Sequence, residues 1–373
     1  MPSSPTPMLR ILPGLIALAL LLAGCAGGAA GAASGFPGLT SDGETAFLAY
    51  GPAIYAIDLG SGALRWRYPA EPQREFSFFA PPVLGAENQL IVGDFTNHLH
   101  ALDRRNGNLL WGPVALGSNG ANKEHVIGGP VVVGELVLVP STDGYLYARR
   151  IGDGSPMWSF PAEGEPPLRE AFWAAPTIDG DRAFLGSLDH HLYAIDLANG
   201  QSLWPEAVDL SGAMADSPAL AGELLLVGTF SNQLVALGAE GGEVAWSFPT
   251  AHGVWGSPSV AGDLAYFGDL GGMLYAVSVE NGREVWRLQT AGGIAASPAV
   301  ADGQVYVVTD NGSLMARQAS NSDPAWQRTL EGQLLTDPLV AGDNLLVATT
   351  GGTALLSAYD RASGEIRWTF TAP

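Results

Sequence analysis

Apolar and polar residues alternate along most of the chain in short runs, with tight turns between them. Gln304-Val305-Tyr306-Val307-Val308 is such a run, and Asn311-Gly312 and Gly271-Gly272 are such turns. Period-two alternation interrupted by a two-residue Asn/Gly turn predicts a strand, a hairpin and a second strand. An Asp-x-x-x-Gly segment follows, in which glycine permits positive φ and aspartate caps local amides, so a second turn is predicted. A tryptophan then falls on a further strand. A proline-containing run such as Ser297-Pro298-Ala299-Val300 precedes the set and reads as a short first strand.

This unit recurs. Copies end at Trp66, Trp111, Trp158, Trp204, Trp246, Trp286, Trp326 and Trp368, at spacings of 45, 47, 46, 42, 40, 40 and 42 residues. An alanine sits ten residues before every one of these tryptophans, and a glycine four before in all copies but that of Ser322. Aspartate stands eight before in four copies, Asp58, Asp103, Asp196 and Asp360. A period near 40–45 residues with four strands per unit predicts an all-β fold, an eight-bladed β-propeller of four-stranded antiparallel blades. The tryptophans read as structural docking residues between blades. Each indole buries a large apolar area, needs a small residue to lie against, and can donate its N–H to a carbonyl.

The Ala-x-Asp-x-x-x-Gly-x-x-x-Trp pattern resembles the tryptophan-docking motif of quinoprotein-type, PQQ-like propellers, and the match covers about residues 36–373. In its enzymatic members the quinone lies between a tryptophan and a vicinal disulfide, with calcium and a catalytic aspartate beside it. That resemblance would imply PQQ with calcium as cofactor. Cys25 is the only cysteine, so the disulfide is missing. The expectation is therefore no cofactor, no metal, no catalytic residue and no enzymatic activity, with a PQQ-dependent dehydrogenase as the lesser alternative.

Residues 1–24 read as a lipoprotein signal peptide. Arg10 precedes an apolar core of 13 residues from Ile11 to Ala23, too short to span a bilayer. The segment ends Leu22-Ala23-Gly24-Cys25, which resembles a bacterial lipobox, so Cys25 is the expected lipidation site. Residues 25–35 read as a lipid-anchored Gly/Ala tether, and 36–373 as the propeller. The chain is expected to be exported and lipid-anchored, either to the outer face of the cytoplasmic membrane or to the outer membrane.

Charge changes the picture only by exclusion. The formal net charge is −20, and Lys123 is the sole lysine beside 16 arginines. That balance disfavours nucleic acid and adsorption to anionic lipid. Among the six histidines, His98 and His191 occupy matching hairpin positions and read as exposed turn residues, and no zinc-site spacing appears.

One feature departs from the repeat. The connectors between blades are longest early in the chain, through Glu71–Phe79, Leu116–Ile127 and Pro161–Trp173. In a propeller they share one face with the hairpins between second and third strands. Three residues before each strand proline the series reads Phe79, Ile127, Trp173, Ala215, Trp255, Ala295 and Leu335, so aromatics are expected to ring the channel mouth. They either plug that mouth or bind there. The expected partner-binding residues are Arg74, Phe79, Lys123, His125, Arg169, Glu170, Phe172, Trp173 and Trp255, since aromatics and arginine on loops over a rigid scaffold favour recognition. Lipobox, eight blades and no additional domain together resemble the BamB family of propeller lipoproteins in outer-membrane β-barrel assembly. The resemblance implies a non-enzymatic scaffold, monomeric by itself, with a protein partner in the envelope. A binder of small molecules or polysaccharide is the alternative.

Overall fold

The computed structural model describes residues 36–71, 73, 76–117 and 125–373. The expected signal peptide, the tether with Cys25, and the connector residues Arg74 and Lys123 lie outside them. The described residues contain 32 strands and no helix. They form eight antiparallel sheets, each of four consecutive strands. Blade one comprises Gly38–Ser41, Thr45–Tyr50, Ala53–Asp58 and Leu64–Tyr68, and blade eight Leu339–Ala341, Asn344–Ala348, Leu356–Asp360 and Ile366–Phe370. Each blade is complete within its own stretch of sequence, so no terminal strand is exchanged. First strands of most successive blades approach one another, and that of blade one meets that of blade eight. The first strands thus line the axis of a closed ring.

Burial follows from sequence pattern. Thr45–Tyr50 in the second strand and Ala53–Asp58 in the third are buried almost throughout, as expected for strands covered on both faces. The fourth strand, Leu64–Tyr68, keeps Trp66 inside and leaves Leu64 and Arg65 exposed. The core lies between sheets. Phe47, Ile54 and Trp66 of blade one pack with Leu90, Val92 and Leu102 of blade two. Tyr55 and Ile57 of blade one pack in the same way with Leu346, Ala358 and Trp368 of blade eight.

In each blade the motif tryptophan donates its indole N–H to a backbone carbonyl of the next blade, at 2.8–3.0 Å. The last of these, Trp368 to the Leu59 carbonyl, crosses from blade eight to blade one. The motif alanine faces its own blade's tryptophan across the third and fourth strands, as in Ala56 opposite Trp66. The surface on which the indole rests belongs to the motif glycine of the next blade. Gly282 has φ +68°, and a Cβ there would lie 2.5 Å from Trp246. The glycine therefore meets two demands, a left-handed backbone and room for a ring. Ser322 adopts φ +63° without glycine.

Blade four departs from the others. Trp204 was expected on a strand, yet the outer strand is only Val208–Asp209. Pro205 follows the tryptophan and has no N–H to give to the ladder, so pairing resumes beyond it. Trp204 still docks, on the Glu240 carbonyl.

Candidate functional site

The connectors and hairpins lie on one face because they bond to each other. Hairpin residue Phe95 donates its N–H to the Ser77 carbonyl in the connector entering its blade, and Leu188, Phe230, Leu270 and Asp310 do the same with Ala171, Ala213, Gly253 and Gly293. In six connectors a second bond ties the connector to the preceding blade's hairpin, as Phe172 N–H to the Ser141 carbonyl and Ile294 N–H to the Asp269 carbonyl.

That second bond corrects one expectation. Phe172 is fully buried, within the cluster between blades three and four. Phe78, Val126, Met214, Val254, Ile294 and Leu334 are buried at the corresponding connector positions. Each wedges between blades. At Gly268 a Cβ would lie 2.2 Å from Ile294, so glycine makes room for the wedge. Phe172 belongs to this wedge series and cannot touch a partner. The next residue, Trp173, points the other way and is half-buried at the mouth.

The remaining aromatics form two groups. Phe79 meets Phe95 edge-on at 5.3 Å, and Phe95 stacks on His125 at 3.6 Å and 8°. Trp255 touches Trp173 at 6.2 Å, Phe230 at 5.4 Å and Phe36 at 6.2 Å. Trp173 is in blade four, Trp255 in blade six and Phe36 in blade one. Contacts between blades that are not neighbours require the rings to lie near the axis. Eight of the ten tryptophans serve the repeat, and the other two, Trp173 and Trp255, meet here. Arg169 and Glu170 are exposed on the connector leading to Trp173.

Sequence reasoning missed Phe95 and Phe230. Both stand six residues before the motif alanine, where other hairpins carry Thr142, Leu188, Leu270 or Asp310, so alignment on the alanine would have exposed them. It also missed two carboxylates just inside the mouth. Asp216 Oδ2 accepts from Ser257 N and from Ser297 Oγ, both at 3.0 Å. Asp337 Oδ1 accepts from Ser297 N at 2.7 Å. The two aspartates thus grip one serine from blades five and eight. Asp337 keeps exposed surface yet has protein on many sides. That enclosure, and next the charge of Asp216, pushes its pKa up to about 7.

The sign of the consequence follows from linkage. Folded Asp337 holds a proton at pH values where an unfolded aspartate, with a pKa of about 3.9, has lost it. Its contribution to stability is therefore present at low pH and lost as pH rises towards 7. Asp337→Asn is expected to raise the melting temperature more at pH 8 than at pH 5. A difference from wild type that stays constant with pH would exclude the effect.

Among the described residues no group of three or more His, Cys, Asp or Glu is placed to hold a metal ion. The architecture defines the class of protein, an eight-bladed propeller of PQQ-like repeats. The family model for outer membrane protein assembly factor BamB matches residues 27–224, 189–297 and 271–373, and the chain belongs to that family. BamB from Moraxella catarrhalis has a similar structure, with TM-score 0.68 and 17% identity over 84% of this chain and 91% of that one. The computationally designed Ika8 protein gives TM-score 0.72 at 13% identity, covering 88% and 96% of the two chains. A europium-containing methanol dehydrogenase gives 0.64 at 15%, covering 85% and 83%. At these identities the structural likeness establishes the fold alone. No curated protein sequence matches the chain.

Proposed function

We propose that this chain is a non-enzymatic scaffold of the cell envelope, anchored through lipidated Cys25, that holds a partner protein on its hairpin-and-connector face. The observation that carries the reading is the meeting of Trp173 and Trp255, the only tryptophans outside the repeat, on that face. Aromatics on a rigid platform lose little conformational freedom on binding and are favoured anchors. Membership of the BamB family supports outer-membrane protein assembly as the setting.

The dehydrogenase alternative suits the residues less well. The quinone cofactor PQQ is a tricarboxylate. The tripeptides before the strand prolines, which form the mouth, contain Asp216 and Asp337 and no lysine, arginine or histidine. Two carboxylates without a compensating cation oppose such a ligand. A polysaccharide reading has only the half-buried aromatics of the mouth in its favour.

The test is affinity capture of the lipidated protein from native membranes after mild crosslinking, with mass spectrometry of what is retained. Recovery of an envelope assembly protein is expected, with loss in the Arg169→Ala/Trp173→Ala double variant at an unchanged melting temperature. Persistent capture by that variant would mean that another surface binds. Recovery of no specific protein, with retention of glycans instead, would overturn the scaffold reading.

A further inference from the structure

We propose that the channel mouth takes an arginine side chain carried on a loop of the partner protein, clasped by Asp216 and Asp337 beneath Trp173 and Trp255. The inference rests on the partner-binding reading above and adds the chemistry of what enters.

The aromatic and acidic parts form one site. Trp255 stands two residues before Ser257, whose N–H bonds to Asp216. Phe36, in contact with Trp255, precedes Pro37, and the Pro37 carbonyl accepts from Thr336 Oγ1 at 2.8 Å. Thr336 adjoins Asp337. Short chain segments thus connect each carboxylate to the aromatic cluster, and Ser297 links the carboxylates to each other.

Charge selects the occupant. Asp216 and Asp337 both bond Ser297, so two carboxylates share one small space, and the mouth tripeptides supply no basic residue to balance them. The chain as a whole carries −20. An incoming cation is therefore attracted at long range and stabilised at contact. The aromatic collar narrows the choice further. Ring faces attract organic cations, whereas hard metal ions require more oxygen ligands than two carboxylates offer. Between the organic cations, guanidinium fits best. It is planar, stacks on an indole, and gives a fork of donors to a carboxylate. Serine hydroxyls of Ser257 and Ser297 are already engaged, the first donating to the Ser217 carbonyl and the second to Asp216. The free valence of the site is thus negative and acceptor-rich.

The experiment uses the mature chain and capped tripeptides, acetyl-Gly-Arg-Gly-amide against its citrulline and glutamate analogues. Citrulline keeps the shape of arginine without its charge. Binding is followed by the indole N–H signals of the ten tryptophans in nuclear magnetic resonance. The arginine peptide is expected to move two signals, those missing in Trp173→Phe and Trp255→Phe. It is expected to bind more tightly than the citrulline peptide by at least about tenfold. Binding should weaken as pH falls from 8 to 6, because protonation of Asp337 removes one of the two charges. Asp216→Asn/Asp337→Asn should abolish the preference for arginine without lowering the melting temperature. Equal binding of citrulline by wild type, or an arginine preference that survives the double asparagine variant, would overturn the proposal. So would calcium alone moving the same two signals while the arginine peptide moves none. The two levels fail separately. If membrane capture is lost in Arg169→Ala/Trp173→Ala but unchanged in Asp216→Asn/Asp337→Asn, the face stands and the arginine does not.

Discussion

Replacing Trp368 with alanine is expected to destabilise the propeller by about 3–5 kcal/mol, the cost of deleting a buried aromatic. The magnitude rests on three losses at one place. The side chain is 9% exposed and packs with Tyr55, Ile57 and Phe370. Its indole N–H bond is lost, leaving the Leu59 carbonyl only the longer 3.4 Å bond from Asn344 Nδ2. Its ring also vacates the surface of Gly62, where a Cβ would approach within 2.7 Å. Seven of the inter-blade contacts join blades that a connector also ties together. Blades eight and one have no connector, so only packing and hydrogen bonds close the ring. Trp246→Ala is expected to cost less, because that indole is half-buried and its blade is tied to the next by chain. Denaturant unfolding of the two variants checks the order. Equal losses would mean that closure places no additional demand on Trp368.

The second large effect concerns Asp94. Its carboxylate is fully buried and accepts from Thr96 N and Thr96 Oγ1, each at 2.8 Å, from His98 N at 3.0 Å, and bonds His100 Nε2 at 2.8 Å. His100 is equally buried, and Nδ1 meets the Tyr68 hydroxyl at 3.0 Å. A carboxylate only accepts, so His100 donates through Nε2 and Tyr68 donates to Nδ1. Burial and then the charge of Asp94 push the Tyr68 pKa up, in keeping with a phenol that stays protonated. Burial alone would raise the pKa of Asp94 too, but the hydrogen bonds from His100, Thr96 and His98 outweigh it and hold it below the usual value. Asp94→Ala leaves a buried imidazole and several donors without an acceptor, at an expected cost of about 3–5 kcal/mol. Asp94→Asn keeps one acceptor oxygen and should cost less. Because the folded pKa is lowered, this stabilisation is present above the unfolded value of about 4 and disappears as pH falls below it. The gap between wild type and Asp94→Asn is therefore expected to narrow between pH 6 and pH 3. Melts across that range decide it, and a gap that widens in acid would contradict the network.

Most of this architecture was legible before any coordinates. The eight alanine–tryptophan pairs fixed blade number, strand count and phase, because each blade repeats one local solution to the same packing problem. The face carrying the connectors was legible for the same reason. Phe172 was misjudged because the sequence shows an aromatic pair without showing which member turns inward. The answer lay in the packing of Phe172 among Leu138, Leu146, Leu185 and Tyr193 between blades three and four, which only the assembled ring shows. The burial of His100 was not legible in the sequence either. Its burial depends on Tyr68, Phe76 and Phe78 closing over it from the preceding blade and the connector.

The carboxylate pair marks the boundary between the two kinds of information. Asp216 lies two residues before its strand proline and Asp337 one residue before, so alignment of the repeats puts them in different columns. Nothing local relates them across more than a hundred residues. Periodicity records what every blade shares, and therefore determined the ring, its tryptophan ties and its hairpin-and-connector face. Only closure of the ring brought blade five and blade eight to one axis, where two unlike positions converge on Ser297.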